Sequence, residues 1–263
     1  MAVKKKGLYF DAKETRSRED RRAGQAGELA AMMRLAVKKS PLLRKQIESA
    51  GISPTKRNAF DLLKRLPVIS REKIVQMEID DPPYAGLGNP EAAVDRIFTS
   101  PGPVYEPHLS ESDPIWARAY RAAGFGPGDV VLNAFSYHLV AAGLTFHSGL
   151  RRVGATVVPS GASSAAIQVQ LIRDLKVTGY TGTPSFLKAI IARAEEEGRD
   201  FRKDFSLRRA CFAAEPLHPA LRTEFEERYA IDTYQMYGAT EVGDVAYECR
   251  EKAGWHLCEE VIV

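Results

Sequence analysis

Between residues 130 and 236 short apolar segments alternate with longer amphipathic ones, and this alternation limits the available folds more than any other feature. Short apolar runs bounded by turn residues are typical of buried strands, whereas apolar residues spaced three to four apart indicate helices. Strands are predicted at 130–135, 155–158, 177–181, 207–212 and 232–236, with helices at 139–153, 165–175, 185–197 and 219–229. This order predicts an α/β layered domain with a mostly parallel sheet.

The earlier part of the chain has a different pattern. Apolar residues recur at helical spacing between Glu14 and Met77, and Ser40-Pro41 combines an N-cap with a proline at the first helical position. Residues 80–104 are rich in proline and glycine and predict loop with one short strand at 94–98. We therefore divide the chain into a helical N-terminal segment, residues 1–85, and an α/β domain, residues 86–263.

Composition excludes several functional classes. The net charge is +3, and the basic residues near the start are mixed with acidic ones and accompanied by few aromatics, so no nucleic-acid partner is expected. No segment approaches the roughly 20 apolar residues that a membrane span requires. Three unevenly spaced cysteines do not form a disulfide framework. A cytoplasmic protein without a membrane partner is expected.

Parallel strands place ligands at their carboxyl ends, so the turns after the predicted strands are the places to look for chemistry. Three of these turns are rich in functional residue types: Gly182–Ser185, Ala213–Pro216 and Tyr237–Glu241. In the last turn an aromatic ring can stack on a base, a threonine hydroxyl can reach a phosphate, and a carboxylate can hold Mg²⁺. The alternative is a tight turn with a capping threonine and a surface glutamate. Taken alone, the turn leaves both interpretations open.

The combination of Tyr237–Glu241 with the earlier Ala214–Leu217 resembles the acyl- and aryl-CoA ligases of the adenylate-forming superfamily. Within that AMP-binding superfamily the sequence is most similar in pattern to phenylacetate–CoA ligases. Further matches lie along most of the chain, at Leu66–Glu72, Phe146–Ala155, Thr183–Ser185, Glu248-Cys249 and Gly254–His256. Several motifs in one order are more specific than any one of them.

The resemblance implies roles for individual residues. Tyr237 would stack on adenine within a turn completed by Gly238 and Ala239, and Gln235 would approach the exocyclic amine. Ala214, Glu215 and Pro216 would line the other side of the base. Thr240 would contact the α-phosphate and Glu241 would bind Mg²⁺. Tyr137 and His138 would border the carboxylic-acid pocket, whereas helix packing is expected for His147.

The sequence departs from the family pattern in two places. The family's phosphate-binding loop is rich in Ser, Thr and Gly and contains a lysine, but residues 98–107 here contain prolines and Glu106 and no lysine. Prolines remove N–H donors, so only Thr99, Ser100 and Gly102 remain as candidates there. Family members also continue into a C-terminal lid that carries a catalytic lysine. We expect that this chain is truncated before that lid.

Cys249, His256 and Cys258 offer three soft ligands close together in the sequence. Structural zinc takes four such ligands, so a Zn²⁺ site would need one more. The alternative is a buried Cys249, an exposed His256 and an incidental Cys258.

The resemblance implies ATP-dependent activation of an aryl or related carboxylic acid to an acyl-adenylate and then to an acyl-CoA, with ATP or AMP, Mg²⁺ and coenzyme A as ligands. We expect this activity to be impaired in the present chain. The alternative is a non-catalytic remnant that binds nucleotide or forms a homodimer.

Overall fold

A computed structural model describes residues 9–51, 53–100, 102, 104–109 and 115–263. The described residues divide into two compact units. The helical unit comprises those of Thr15–Ser110 together with Ile262–Val263, and the sheet unit comprises those of Met1–Glu14 and Glu111–Val261. The predicted division between residues 85 and 86 stays a prediction, because compactness alone does not show which segments fold independently.

The helical unit contains helices that begin at serine caps. The side chains of Ser17, Ser40 and Ser70 each accept a backbone N–H from the first turn of the following helix. The elements are α1 Arg18–Lys39, α2 Pro41–Ser49, α3 Ala59–Arg65 and α4 Arg71–Asp80, followed by the antiparallel hairpin β1 Arg96–Ser100 and β2 Val104–His108. The apolar faces of the first three helices form its core, at Leu29, Ala30, Met33, Ile47, Ala59 and Leu62.

Beyond residues 9–14 the sheet unit contains α5 Ala117–Ala122 and then the strands and helices predicted between residues 130 and 236, together with a short extra helix and two further strands. Its elements are β3 Val130–Asn133, α6 Ala142–Arg152, β4 Thr156–Val158, α7 Ala165–Asp174, β5 Gly179–Gly182, α8 Pro184–Glu196, α9 Phe201–Asp204, β6 Arg209–Phe212, α10 Pro219–Thr223, β7 Asp232–Ala239, β8 Gly243–Tyr247 and β9 His256–Leu257. A short π-helical turn, Glu224–Arg228, extends α10. Each predicted strand and helix of this region is therefore present, with ends shifted by a few residues.

The described strands of the sheet unit form one seven-stranded sheet in the order β4-β3-β5-β6-β7-β8-β9. The first five in this order are parallel, and β8 and β9 extend the sheet in antiparallel fashion. Separate clusters of buried apolar residues, one containing Leu132, Ile190 and Phe225 and the other Tyr120, Phe146 and Tyr247, pack along it. The prediction of an α/β fold with a mostly parallel sheet is confirmed.

β7 continues beyond the predicted end at Met236 because β8 pairs with its last residues, Met236 with Tyr247 and Ala239 with Gly243. No helix among the described residues is both long enough and apolar enough to cross a membrane.

Candidate functional site

The sheet brings the predicted functional turns to one edge. Neighbouring parallel strands end in register, Asn133 beside Thr181, Gly182 beside Phe212, and Phe212 beside Gln235. The chain leaves β3 for β4 on one side and returns to β5 on the other, so the strand order reverses beside β3. In open α/β sheets such a reversal opens a crevice at the carboxyl ends of the strands, where ligands bind.

The turn Tyr237–Glu241 forms the end of β7 and the tip of the hairpin that joins β7 to β8. The Val242 N–H donates to the Ala239 carbonyl at 3.1 Å and closes this tip. Thr240 and Glu241 are exposed there, and the Tyr237 side chain is 59% exposed. Three side chains expected to contact nucleotide are therefore accessible.

Gly238 has a packing reason to be glycine. A Cβ atom at this position would lie 2.3 Å from the Gly243 carbonyl oxygen and 2.4 Å from Cη2 of Trp116. Both distances are shorter than any real contact of a methyl group, so a side chain would force the hairpin away from the Trp116 ring. The β-bulge between Tyr237 and Gly238 lies at the same point. Gly238 therefore lets the hairpin approach Trp116 while Tyr237 remains exposed.

The second predicted turn follows β6 and contains Ala214, Glu215 and Pro216, all exposed. Ala214 adopts a left-handed backbone conformation, with φ +69°, which is unusual for a residue with a Cβ. The Glu215 carboxylate accepts the Ser185 hydroxyl at 2.9 Å and the Ser185 N–H at 3.3 Å. These hydrogen bonds join the turn after β6 to the start of α8, where Thr183 caps the helix.

Gln235 makes protein contacts with both ends of its amide. Its Oε1 accepts the Leu217 N–H at 2.7 Å, and its Nε2 donates to Glu248 at 3.2 Å. The buried Glu248 carboxylate also receives the Gln235 N–H at 2.9 Å and lies 2.8 Å from Nη2 of Arg222. Gln235 therefore links the turn after β6, through Leu217, to Glu248. A contact with the adenine amine stays a prediction.

Tyr137 lies in the loop after β3 with its hydroxyl turned into the protein. Nδ2 of Asn133 donates to that hydroxyl at 2.8 Å, and Nδ1 of His147 lies 3.2 Å from it. Burial raises the pKa of Tyr137 to about 12. Burial, followed by the charge of Arg151, lowers the pKa of His147. The neighbouring His138 is exposed.

Asn133 and His147 were not predicted as site residues. Asn133 is fully buried at the end of an otherwise apolar strand, and a polar residue in that position was the only local indication of its role. His147 does more than the helix packing expected for it. Its ring meets the Tyr137 ring edge-on, and its Nδ1 lies within hydrogen-bond distance of the Tyr137 hydroxyl.

Ser100 and Gly102 belong to the helical unit. The Ser100 hydroxyl donates to Glu106 at 2.6 Å and accepts from Nη2 of Arg71 at 2.8 Å. Ser100 pairs with Val104 across the hairpin, with Gly102 in the connecting turn. Pro101 and Pro103 of the predicted phosphate loop lie outside the described residues. The hydroxyl proton of Ser100 is therefore already directed at a carboxylate.

Cys249, His256 and Cys258 do not come together as zinc ligands. Cys258 is buried, and burial followed by the charge of Asp244 raises the pKa of its thiol, while the His256 ring stacks on Tyr247 with centroids 5.5 Å apart. Among the residues that the structure describes, no group of three or more His, Cys, Asp or Glu side chains could hold a metal ion. The zinc prediction receives no support from this arrangement. Glu241 would give Mg²⁺ a single carboxylate ligand, so nucleotide phosphates would have to supply further ligands. Its role in binding Mg²⁺ stays a prediction.

Residues 111–258 match the family described as AMP-binding enzyme. Phenylacetate-coenzyme A ligase of Escherichia coli (strain K12) is 32% identical over 252 residues, which cover 92% of this chain and 57% of the relative. The ligase of the same name from Thermus thermophilus is 28% identical over 264 residues, covering 96% of this chain and 58% of the relative. The chain thus spans a little over half the length of these curated relatives.

Solved structures of 2-hydroxyisobutyryl-CoA ligase share the fold. One, in complex with 2-HIB-AMP and CoA, has a TM-score of 0.82 at 23% identity and covers 92% of this chain and 55% of its own. Another, in the postadenylation state with R3-HIB-AMP, has a TM-score of 0.83 at 21% identity, and the match covers 97% of this chain and 57% of the ligase chain. The resemblance to phenylacetate–CoA ligases is confirmed at the level of sequence similarity, and the chain belongs to the AMP-binding enzyme family.

Proposed function

We propose that the protein binds an adenine nucleotide at the exposed turns after β6 and β7 and takes part in activating an aryl carboxylic acid. The observation that carries this proposal is the meeting of Tyr237–Glu241, Ala214–Pro216 and Tyr137 at one edge of the sheet in an AMP-binding enzyme. The phenylacetate ligases among its relatives suggest the class of acid.

In the proposed reaction a carboxylate oxygen of the acid attacks the α-phosphorus of ATP. The bond from that phosphorus to the bridging oxygen breaks, which releases pyrophosphate and leaves an acyl-adenylate. The thiol of coenzyme A then loses its proton, its sulfur bonds to the acyl carbon, and AMP leaves. Tyr237 would hold the base by stacking, and the Thr240 hydroxyl would hydrogen-bond the α-phosphate as its charge develops. Glu241 would hold Mg²⁺, which supplies Lewis-acid neutralisation of phosphate charge.

The affinity for nucleotide tests this proposal. AMP and ATP should bind with dissociation constants between micromolar and millimolar, or about −4 to −8 kcal/mol, measured by titration calorimetry. Tyr237→Ala should weaken binding by about 1–3 kcal/mol because stacking is lost, whereas Tyr237→Phe keeps the ring and should bind normally. Tyr9→Ala removes another exposed tyrosine and serves as the control. Equal affinity of the Tyr237→Ala variant and the wild type would refute the role of Tyr237.

We further propose that turnover by this chain is slow. Residues 98–107 contain no lysine, and the Ser100 hydroxyl donates to Glu106, which adds negative charge to the loop that the family resemblance assigns to phosphate binding. A single preorganised donor is typically worth about 10²–10³ in rate. Pyrophosphate release with ATP, Mg²⁺ and a panel of aromatic and aliphatic acids measures this directly. Rapid release that Glu241→Gln abolishes would contradict slow turnover.

The same loop favours a second candidate, a non-catalytic nucleotide-binding protein. This candidate predicts AMP binding that Tyr237→Ala weakens, with no pyrophosphate release for any acid in the panel. A short oligonucleotide in the same titration should not bind. Homodimer formation and a cytoplasmic location remain predictions from the sequence.

A further inference from the structure

A directional chain of hydrogen bonds leads from the end of β3 to His147. Oδ1 of Asn133 accepts the Phe135 N–H at 3.2 Å, which orients the amide so that Nδ2 faces the other way. Nδ2 then donates to the Gly143 carbonyl at 2.9 Å and to the Tyr137 hydroxyl at 2.8 Å. The amide has only two N–H groups, and both are used.

The first bonds favour one direction for the last bond, from the Tyr137 hydroxyl to His147. Because Tyr137 Oη already accepts from Asn133, its own proton is free to be donated, and Nδ1 of His147 lies 3.2 Å away. This donation requires Nδ1 to be the unprotonated nitrogen of a neutral imidazole, with the proton on Nε2. The lowered pKa of His147, caused by burial and by Arg151, favours that neutral form.

Steric contacts hold the Tyr137 ring in the same place. A Cβ on Gly143 would lie 2.8 Å from Cγ of Tyr137 and 2.4 Å from the Ser136 carbonyl oxygen, so only glycine allows the ring to lie so close to α6. The position of a Cβ on Gly161 would be 3.8 Å from Cδ2 of the same ring. The ring is thus held close to α6 at Gly143, and its one polar atom is bound by Asn133 and His147.

We infer that His147 is a positioning residue that accepts the Tyr137 hydroxyl proton and so presents the Tyr137 ring as an apolar wall of the acid pocket. This inference rests on the proposed function for the role of that pocket. A hydroxyl whose proton is donated to His147 has none to offer a bound acid. The pocket should therefore favour an acid with an aryl side chain over one whose side chain needs a hydrogen-bond donor.

Two substitutions separate positioning from packing. His147→Asn places an amide oxygen near the position of Nδ1 and keeps an acceptor for Tyr137, whereas His147→Leu fills similar space without one. The probe is a non-reactive sulfamoyl analogue of phenylacetyl-adenylate, titrated alongside AMP. His147→Leu should weaken the probe about fivefold to tenfold, as expected for one hydrogen bond, and His147→Asn should restore affinity to within about twofold.

A double-mutant cycle tests the partner. In the Tyr137→Phe background the hydroxyl is gone, so His147→Leu should cause no further loss of affinity for the probe. AMP affinity should be unchanged in all these variants. His218→Gln, at an exposed histidine whose side chain makes no capping hydrogen bond, is the matched control.

The tautomer of His147 gives a readout that needs no ligand. Nitrogen-15 NMR at neutral pH should show Nδ1 unprotonated in the wild type and a mixture of tautomers in Tyr137→Phe. A protonated Nδ1 in the wild type, or equal probe affinity of His147→Leu and the wild type while AMP still binds, would overturn the inference. Failure of the wild type to bind AMP or the probe would instead refute the proposed function, and the tautomer would still decide the role of His147.

Discussion

Arg222 and Glu248 form a largely buried ion pair next to Gln235, with Nη2 of Arg222 lying 2.8 Å from both carboxylate oxygens. The same carboxylate accepts hydrogen bonds from the backbone N–H and the side-chain Nε2 of Gln235. Oε1 of Gln235 in turn accepts the Leu217 N–H. One buried carboxylate therefore connects α10, β7 and the turn after β6. The orientation of the Ala214–Pro216 turn depends on this connection.

Arg222→Leu should destabilise the protein by about 3–5 kcal/mol, because it leaves the Glu248 carboxylate buried without its cation. Urea unfolding measures the loss. Arg193→Leu, which removes an exposed arginine that pairs with Glu197 on α8, should change stability by no more than about 0.5 kcal/mol. Similar losses in the free energy of unfolding for the two variants would show that the buried ion pair contributes no more to stability than an exposed one.

Gly238→Ala should destabilise the protein by about 1–3 kcal/mol, because its methyl group cannot fit between the Gly243 carbonyl and the Trp116 ring. Thermal unfolding and tryptophan fluorescence should both change. Gly27→Ala lies within α1, where a methyl group meets nothing within 4 Å, and should stabilise by about 0.5–1 kcal/mol. A Gly238→Ala protein as stable as the wild type would contradict the close approach to Trp116.

Asp244→Asn should make the protein more stable at neutral pH. Burial raises the pKa of Asp244 to about 6 from the ordinary value of 3.8, so between these values the folded protein keeps a proton that the unfolded chain has lost. The stability that this carboxyl group contributes is therefore fully present below the ordinary pKa and is lost as the pH rises through about 6. At neutral pH the variant avoids burying that charge and should gain about 2–3 kcal/mol.

Urea unfolding of both proteins at acidic, intermediate and neutral pH should show a difference that grows with pH. The amide group that Asp244→Asn introduces has nearly the same shape as the carboxyl group, so the comparison isolates the charge. Asp174→Asn, at a fully exposed aspartate whose pKa is lowered by its hydrogen bond with Arg173, is the control: any change with rising pH should favour the wild type there, opposite in sign to that of Asp244→Asn. A constant difference between wild type and Asp244→Asn across this range would be inconsistent with a raised pKa.

Gly143→Ala should disturb the proposed acid pocket and leave the candidate nucleotide turns intact. The added methyl group would meet the Ser136 carbonyl and the Tyr137 ring, so the ring must move. We expect the phenylacetyl-adenylate analogue to lose about tenfold in affinity, while AMP affinity stays within about twofold. Equal losses for the two ligands would mean that the substitution disturbs the whole sheet edge.

The sequence by itself determined the alternating strands and helices between residues 130 and 236 and the turns that carry Tyr137, Glu215 and Tyr237. These features are local: strand and helix periodicity, serine caps and turn residues are read within a few positions of each other. The family resemblance was also readable in the sequence, because each of its motifs is contiguous and several of them occur in one order. The α/β alternation predicts a parallel sheet. Because parallel strands end at the same edge, these turns are then expected to meet there.

Only the tertiary structure decided which polar side chains are available to a ligand. Gln235 finds Leu217 and Glu248 across 18 and 13 residues of sequence, and Tyr137 finds His147 across α6. Among the described residues Cys258 lies near the charge of Asp244 and in no group of metal ligands. A buried polar atom takes whichever partner the packed backbone brings within hydrogen-bond distance, and several partners look equal in the sequence. That choice is made by packing, which no local pattern records.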